Sequence, residues 1–211
     1  MISFKNIQTY TTGFPTTQYS FLGTPEEARN IPPEHKDQIF FLSEEATQFL
    51  SAYLDSSRML TGPLWNPFNE RYFKTIDEFE LTIDREAELK KWLYNKPIPF
   101  DHFVFMHSNW GDQVVMLTWK MVIKYWDGLF SGHDLVLFDQ TLNWGLFYFH
   151  EDFLYFGSDK IYDKTFEEDK IRELQQLQQK YFNKNDLNFT GPEKRQAIKA
   201  FKEKYNINRI E

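Results

Sequence analysis

Apolar residues recur at helical spacing in several segments, and each segment follows a residue that suits the start of a helix. The third segment places Trp119, Val122, Ile123 and Trp126 on one face, which predicts that this face is buried. The residues at or before the predicted helix starts are Ser43, Asp84, Thr118, Thr165 with Glu168, and Thr190 with Glu193.

Between the second and fourth of these helices the pattern changes to short apolar runs typical of strands. The runs "HFVFM" and "QVVMLT" flank a Gly-containing connection, which predicts a hairpin. Residues 134–157 contain "DLVLF", "WGLFYF" and "FLYFG" separated by tight turns, which predicts a three-strand meander. Residues 76–83 are ambiguous, because their alternation favours a strand while Thr75 with Glu78 would cap a helix.

Strands in the middle of the chain and helices toward both ends predict an α+β fold. We expect a central, mainly antiparallel sheet, formed by the hairpin and the three-strand meander, with helices from both chain ends packed on it. Residues 1–38 are interrupted by Gly and Pro, so we expect them to be irregular.

The composition is that of a globular protein with an excess of aromatic residues. Of the 211 residues, 41% are hydrophobic and 18% are aromatic, which is enough for a well-packed core or interface. The chain has no Cys, so disulfides and thiolate chemistry are excluded. The first 20 residues lack the pattern of a signal peptide, and no apolar run spans a membrane, so we expect a cytoplasmic protein without a membrane partner.

Charge is distributed unevenly along the chain. Residues 184–211 hold seven basic and four acidic side chains, a net +3, so residues 1–183 carry −10 of the total −7. We therefore predict one acidic α+β domain over 1–183, with a mildly basic helical extension of the same domain over 184–211. The acidic balance argues against a nucleic-acid partner and favours a basic protein, while the oligomeric state stays open.

The stretch "WGLFYFHEDFLYFG" places His150, Glu151 and Asp152 between two aromatic strands. Three polar residues at this point are typical of a hairpin turn. The alternative is an acid–base pair in which one carboxylate orients His150, which would make the protein a small hydrolase. Adjacent strand residues point to opposite faces, so the turn is the preferred interpretation.

The sequence predicts no cofactor and no metal site. Four histidines and three nearby aspartates occur in the strand-rich region, but their spacing matches no metal-ligand motif. No phosphate-binding glycine loop or Gly-x-Ser-x-Gly elbow is present either. The residues weighed as metal ligands are His102, His107, His133, His150, Asp101, Asp134 and Asp152.

Aromatic residues in predicted loops suggest a surface for protein binding. Trp65, Tyr72 and Trp110 do not belong to a periodic core face, and carboxylates lie near them in the sequence. Exposed rings beside carboxylates would suit a basic protein partner, whereas the alternative is that the rings cover the ends of the sheet. The predicted binding residues are Trp65, Glu70, Tyr72, Trp110, Asp112 and Asp127.

The segments "LTWKMVIKYWDGLF" and "DLVLFDQTLNWGLFYFHEDFLYFG" resemble small acidic bacterial immunity proteins, which neutralise toxins exchanged between neighbouring cells. The resemblance covers residues 98–157 and implies a non-enzymatic inhibitor that occludes a toxin domain, often a basic nuclease. We therefore predict a protein-binding module, with a small hydrolase and a structural or ligand-sensing domain as alternatives.

Overall fold

A computed structural model of the protein describes residues 1–14, 20–61, 66–108, 113–181 and 192–205. The chain divides into two compact units, Met1–Tyr162 and Asp163–Glu211. The boundary suggested by charge, between residues 183 and 184, lies inside the second unit.

The first unit is built on one antiparallel sheet of eight strands, and the α+β prediction is confirmed. The strands are β1 (Thr11–Thr12), β2 (Ile39–Leu42), β3 (Phe73–Glu80), β4 (Phe103–Ser108), β5 (Val115–Thr118), β6 (Leu135–Phe138), β7 (Trp144–Phe149) and β8 (Phe153–Lys160). Their spatial order is β1-β2-β5-β4-β6-β7-β8-β3. The predicted hairpin is β4–β5 and the predicted meander is β6–β7–β8, and pairing of β4 with β6 joins the two.

The ambiguous segment near residue 80 forms β3, which pairs with β8 at the end of the sheet. Phe73 and Phe79 are buried, while most of the residues between them are exposed. Only one side of this strand has a sheet neighbour, which explains its mostly polar sequence.

The described residues of the first unit form six helices: α1 (Pro25–Asn30), α2 (Pro33–Lys36), α3 (Glu44–Ser57), α4 (Glu86–Tyr94), α5 (Trp119–Lys124) and α6 (Trp126–Leu129). The Ser43 hydroxyl accepts from the Ala46 amide at 3.4 Å and caps α3 as predicted. The predicted cap at Thr118 is wrong: its side chain accepts no hydrogen bond from α5, and its hydroxyl donates to the Gln38 side chain at 3.0 Å. The expected irregular chain over 1–38 holds α1, α2, β1 and a 3₁₀ turn, all short.

Strand residues alternate between two apolar clusters on the two faces of the sheet. On one face Trp144, Leu146 and Tyr148 belong to the cluster that contains α4, α5 and α6 residues. On the other face Phe147 and Phe149 belong to the cluster that contains α3 residues. Because both faces are covered, every strand except the exposed β1 contributes to two layers of core.

The second unit contains α7 (Lys164–Tyr181) and α8 (Pro192–Lys204). The Asp163 carboxylate accepts from the Thr165 amide at 2.9 Å, so Asp163 caps α7 and the predicted cap at Thr165 is wrong. The Glu173 carboxylate joins the helices by accepting from Lys204 at 2.6 Å and from the Tyr205 hydroxyl at 2.8 Å. The second predicted cap, Thr190, lies outside the described residues.

Across the described ranges, no helix combines the length and apolar character that crossing a membrane requires.

Candidate functional site

His150, Glu151 and Asp152 form the turn between β7 and β8, since Phe149 and Phe153 are paired across it. Asp152 adopts a positive φ of 65°, a conformation that turn residues such as Asp accept. The imidazole of His150 is 2.7 Å from Asp134, and the Asp152 carboxylate accepts from the Tyr148 hydroxyl at 2.9 Å. His150 therefore pairs with neither carboxylate of its own turn.

This arrangement places His150 on the surface. Its side chain is 49% exposed, and Asp134 also accepts from the His150 backbone amide at 2.8 Å. The two hydrogen bonds fix the turn to the start of β6. The geometry gives the hydrolase alternative no buried acid–base pair at this position.

The predicted aromatic binding surface is not assembled by the described part of the structure. Tyr72 is fully buried in the cluster beside α3 and stacks on Tyr162, so the expectation that it is exposed is wrong. Tyr72 is adjacent to the edge strand β3, and its ring fills the core there. Trp65, Trp110 and Asp112 lie outside the described residues.

The other two predicted binding residues are exposed but occupy different parts of the fold. Glu70 precedes β3, the last strand of the sheet, whereas Asp127 lies in α6. No hydrogen bond or ion pair between described residues connects them.

A different histidine is held by a buried carboxylate. His102, just before β4, has its Nε2 atom 3.0 Å from the Asp139 carboxylate in the loop between β6 and β7. Pairing of β4 with β6 brings the start of one strand to the end of the other, which explains the contact. Asp139 is only 5% exposed, whereas the His102 side chain is 36% exposed.

Asp139 accepts hydrogen bonds at both oxygens. Thr141 donates its amide at 2.7 Å and its hydroxyl at 2.6 Å to Oδ1, and the Trp144 indole donates to Oδ2 at 2.9 Å. Burial acts to raise the pKa of the Asp139 carboxyl, but hydrogen bonds from Thr141, Trp144 and His102 outweigh it and lower the pKa below its usual value. Asp139 is therefore a carboxylate at neutral pH.

This carboxylate defines the state of the imidazole. A carboxylate can only accept, so Nε2 of His102 carries the hydrogen. In the neutral ring Nδ1 is then an acceptor. We call His102 and Asp139 the dyad.

The dyad lines a cavity of about 380 Å³. Its buried lining residues are apolar except for Asp139, and most of its exposed lining residues are polar, an arrangement common in small-molecule sites. The lining residues are Phe4, Ile7, Gln8, Pro99, Asp101, His102, Phe103, Phe105, Met116, Asp139 and Gln140.

A second histidine contact connects α3 to β4. The Ser51 hydroxyl is 2.7 Å from Nε2 of His107, and it is also 2.9 Å from the Thr47 carbonyl. Burial lowers the pKa of His107, although the Ser108 carbonyl and the Asp55 charge oppose the shift. Because the single hydroxyl hydrogen is shared between two acceptors, we assign this pair to packing.

Carboxylates also gather at one corner of the sheet, which we call the acidic edge. Leu81 at the end of β3 donates its amide to the Asp152 carbonyl at 2.7 Å, so the β7–β8 turn lies beside the chain leading into α4. The acidic edge consists of Glu78, Glu80, Asp84, Glu86, Glu88, Glu151 and Asp152, all exposed.

No group of three His, Asp or Glu side chains within the described ranges is arranged to hold a metal ion. Comparison with known proteins finds no matching family model, curated protein or solved structure.

Sequence analysis weighed His102 only as a metal ligand and did not select Asp139. The dyad depends on pairing between strands far apart in the chain. The one local signal is the spacing of Asp139 and Thr141, which suits an Asp-based turn with the carboxylate accepting from the amide two residues later.

Proposed function

We propose that the protein is a cytoplasmic protein-binding module that captures a basic protein partner, and that it acts as an immunity protein by occluding a toxin domain. The observation that supports this proposal most is the acidic edge, an exposed set of seven carboxylates.

Positive charge is scarce at the acidic edge. Arg85 is the only Lys or Arg in 78–88 and 150–152, and its guanidinium is already engaged. It donates to Glu88 at 2.8 Å and to the Glu80 carbonyl at 2.9 Å, and it lies 4.4 Å from the centre of the Phe79 ring. The remaining charge is available to attract a basic surface.

The acidic edge also offers an apolar contact. Ile83 lies in the 3₁₀ turn Ile83–Arg85, between carboxylates, and it is 95% exposed. In protein interfaces, apolar contacts at the centre usually provide affinity, and charges around them speed the encounter of the two partners. Ile83 therefore supplies a short-range anchor within an acidic rim.

Asp84 of the acidic edge is ionised at neutral pH. The Thr82 hydroxyl donates to Asp84 at 2.6 Å, and this hydrogen bond is the main cause that lowers the pKa of Asp84. The partner's surface should be basic, as the resemblance to immunity proteins of nuclease toxins implies.

The test compares two triple variants of equal charge change. E78Q/E86Q/E151Q removes three carboxylates of the acidic edge whose side chains form no hydrogen bond or ion pair with described residues. E26Q/E34Q/E45Q removes three exposed carboxylates elsewhere in the first unit. Binding kinetics are measured against the product of the adjacent gene, because an immunity protein is expected to be encoded beside its toxin.

We expect the acidic-edge variant to lower the association rate constant at low salt by about fivefold to tenfold, and the matched control by less than about twofold. Equal losses in the two variants would show that total charge and not this surface determines binding. Unchanged binding in the first variant would contradict the proposal.

A further inference from the structure

We propose that the cavity beside the dyad is a binding site for a small organic cation, an amine carrying an apolar or aromatic body. This inference is independent of the protein-binding proposal. The cavity adjoins the loop that precedes β7, whereas the acidic edge includes the turn that follows it. Six strand residues separate these ends by roughly 20 Å at about 3.3 Å per residue.

The charges of the lining select the sign of the ligand. Asp101 and Asp139 are the two carboxylates, and no lysine or arginine lines the described cavity. An anion would therefore meet two negative charges without a permanent cation to balance them. A cation is attracted by the same arrangement.

Two acceptors remain for the hydrogens of an ammonium group. Asp139 already accepts four hydrogen bonds, so its task is to hold His102 with Nε2 as donor and Nδ1 as acceptor. Asp101 is exposed at the rim, and its carboxylate has no hydrogen bond or ion pair with a described residue. Nδ1 of His102 and the Asp101 carboxylate are thus the two acceptors that remain.

The apolar wall suits the body of such a ligand. Phe4, Phe103 and Phe105 contribute aromatic rings, and Ile7 and Met116 are buried at the wall. Ring faces attract cations, and ring edges and methyl groups pack against an aromatic body. The volume of about 380 Å³ is at the lower end of the range for small-molecule sites, roughly 300 to 1,000 Å³.

Three probes of similar shape and different charge test the inference on the full chain: benzylamine, benzyl alcohol and benzoate. Binding is followed by calorimetry and by the NMR signals of the His102 ring. We expect saturable binding of benzylamine with a Kd on the order of 1 mM, as for other ligands with few atoms. Benzyl alcohol should bind at least about fivefold more weakly, and benzoate should not bind.

Two exposed aspartates provide a matched pair of variants. Asp101→Asn should weaken benzylamine binding by about fivefold, and Asp127→Asn on α6 should leave it unchanged. His102→Phe should weaken it as well, because the Phe ring has no nitrogen that can accept a hydrogen bond. Saturable binding that moves the His102 signals and depends on Asp101 supports the site.

Three results would overturn it. Benzoate binding as tightly as benzylamine would reverse the charge preference, and equal affinity of Asp101→Asn and the unmodified protein would remove the proposed contact. The absence of saturable benzylamine binding up to about 10 mM would show that the cavity is not a cation site.

Discussion

Asp139 shows how one residue can connect three parts of the fold. Its carboxylate accepts from His102 before β4, from Thr141 in its own loop and from Trp144 in β7. Trp144 in turn packs edge-on against Trp119 of α5, with ring centres 5.9 Å apart. The sequence shows that Asp139 stands two positions before Thr141, which predicts that one hydrogen bond. The contacts with His102 and Trp144 depend on strand pairing, so local sequence could not predict the whole hydrogen-bond network.

Replacing Asp139 by Asn should lower the free energy of unfolding by about 1.5 to 3 kcal/mol at neutral pH, because hydrogen bonds to a charged acceptor are weakened. The folded-state pKa lies below the ordinary value of 3.8, so the carboxylate stabilises the fold above that pH. This stabilisation is lost as pH falls through the folded-state pKa.

Urea denaturation at about five pH values between pH 2 and pH 7 measures the loss of stability in Asp139→Asn and its dependence on pH. The unmodified protein should lose more stability at the acid end than Asp139→Asn does. Parallel stability curves for the two proteins would show that Asp139 is not the ionised acceptor described above.

Replacing His150 by Gln should change the free energy of unfolding by less than about 1 kcal/mol, since the side chain is half exposed at a turn. The backbone amide of residue 150 keeps its hydrogen bond to Asp134. Thermal unfolding is the measurement. If an activity is found, its reduction by about 100-fold or more in this variant would restore the hydrolase alternative.

At the scale of elements, the segments that sequence patterns predicted well are those with a local signal. The helix after Ser43, the hairpin β4–β5 and the meander β6–β7–β8 each combine apolar periodicity with a cap or a turn. Strand β2 was missed because its formation depends on β5, where Ile39 pairs with Leu117 far along the chain. The polar edge strand β3 stayed ambiguous for the same reason.

The helix predicted after Thr118 has its apolar stripe buried as expected, although the segment forms two short helices, α5 and α6. Trp119 is fully buried, so Trp119→Ala should lower the free energy of unfolding by about 3 to 5 kcal/mol. Phe100→Ala is the matched control, because that ring is 48% exposed and should cost about 1 kcal/mol or less. Similar costs for both variants in chemical denaturation would contradict the assigned burial.

At the scale of the whole molecule, the two compact units carry net charges of opposite sign. The first unit holds 22 acidic and 13 basic residues, a net −9, and the second holds nine acidic and eleven basic residues, a net +2. Both apolar clusters consist of residues from the first unit. Sequence patterns predicted an acidic body and a basic tail, but charge counting could not find a boundary that depends on contacts.

A chain ending at Tyr162 should fold by itself, since it retains the eight strands and both apolar clusters. Its free energy of unfolding should lie within about 1 kcal/mol of the value for the same unit in the full chain. Chemical denaturation followed by tryptophan fluorescence measures this. A truncated chain that aggregates or unfolds without a cooperative transition would show that residues 163–211 are required for the first unit.

The central claim, capture of a basic protein by an acidic body, is tested most directly by the salt dependence of the association rate constant with the product of the adjacent gene. Charge steering is screened beyond about 8 Å at physiological ionic strength, so raising the salt should slow association markedly and change dissociation less. We expect a fall of about tenfold or more in the association rate constant from low to high salt. No binding at low salt, or an association rate constant that does not depend on salt, would contradict the account.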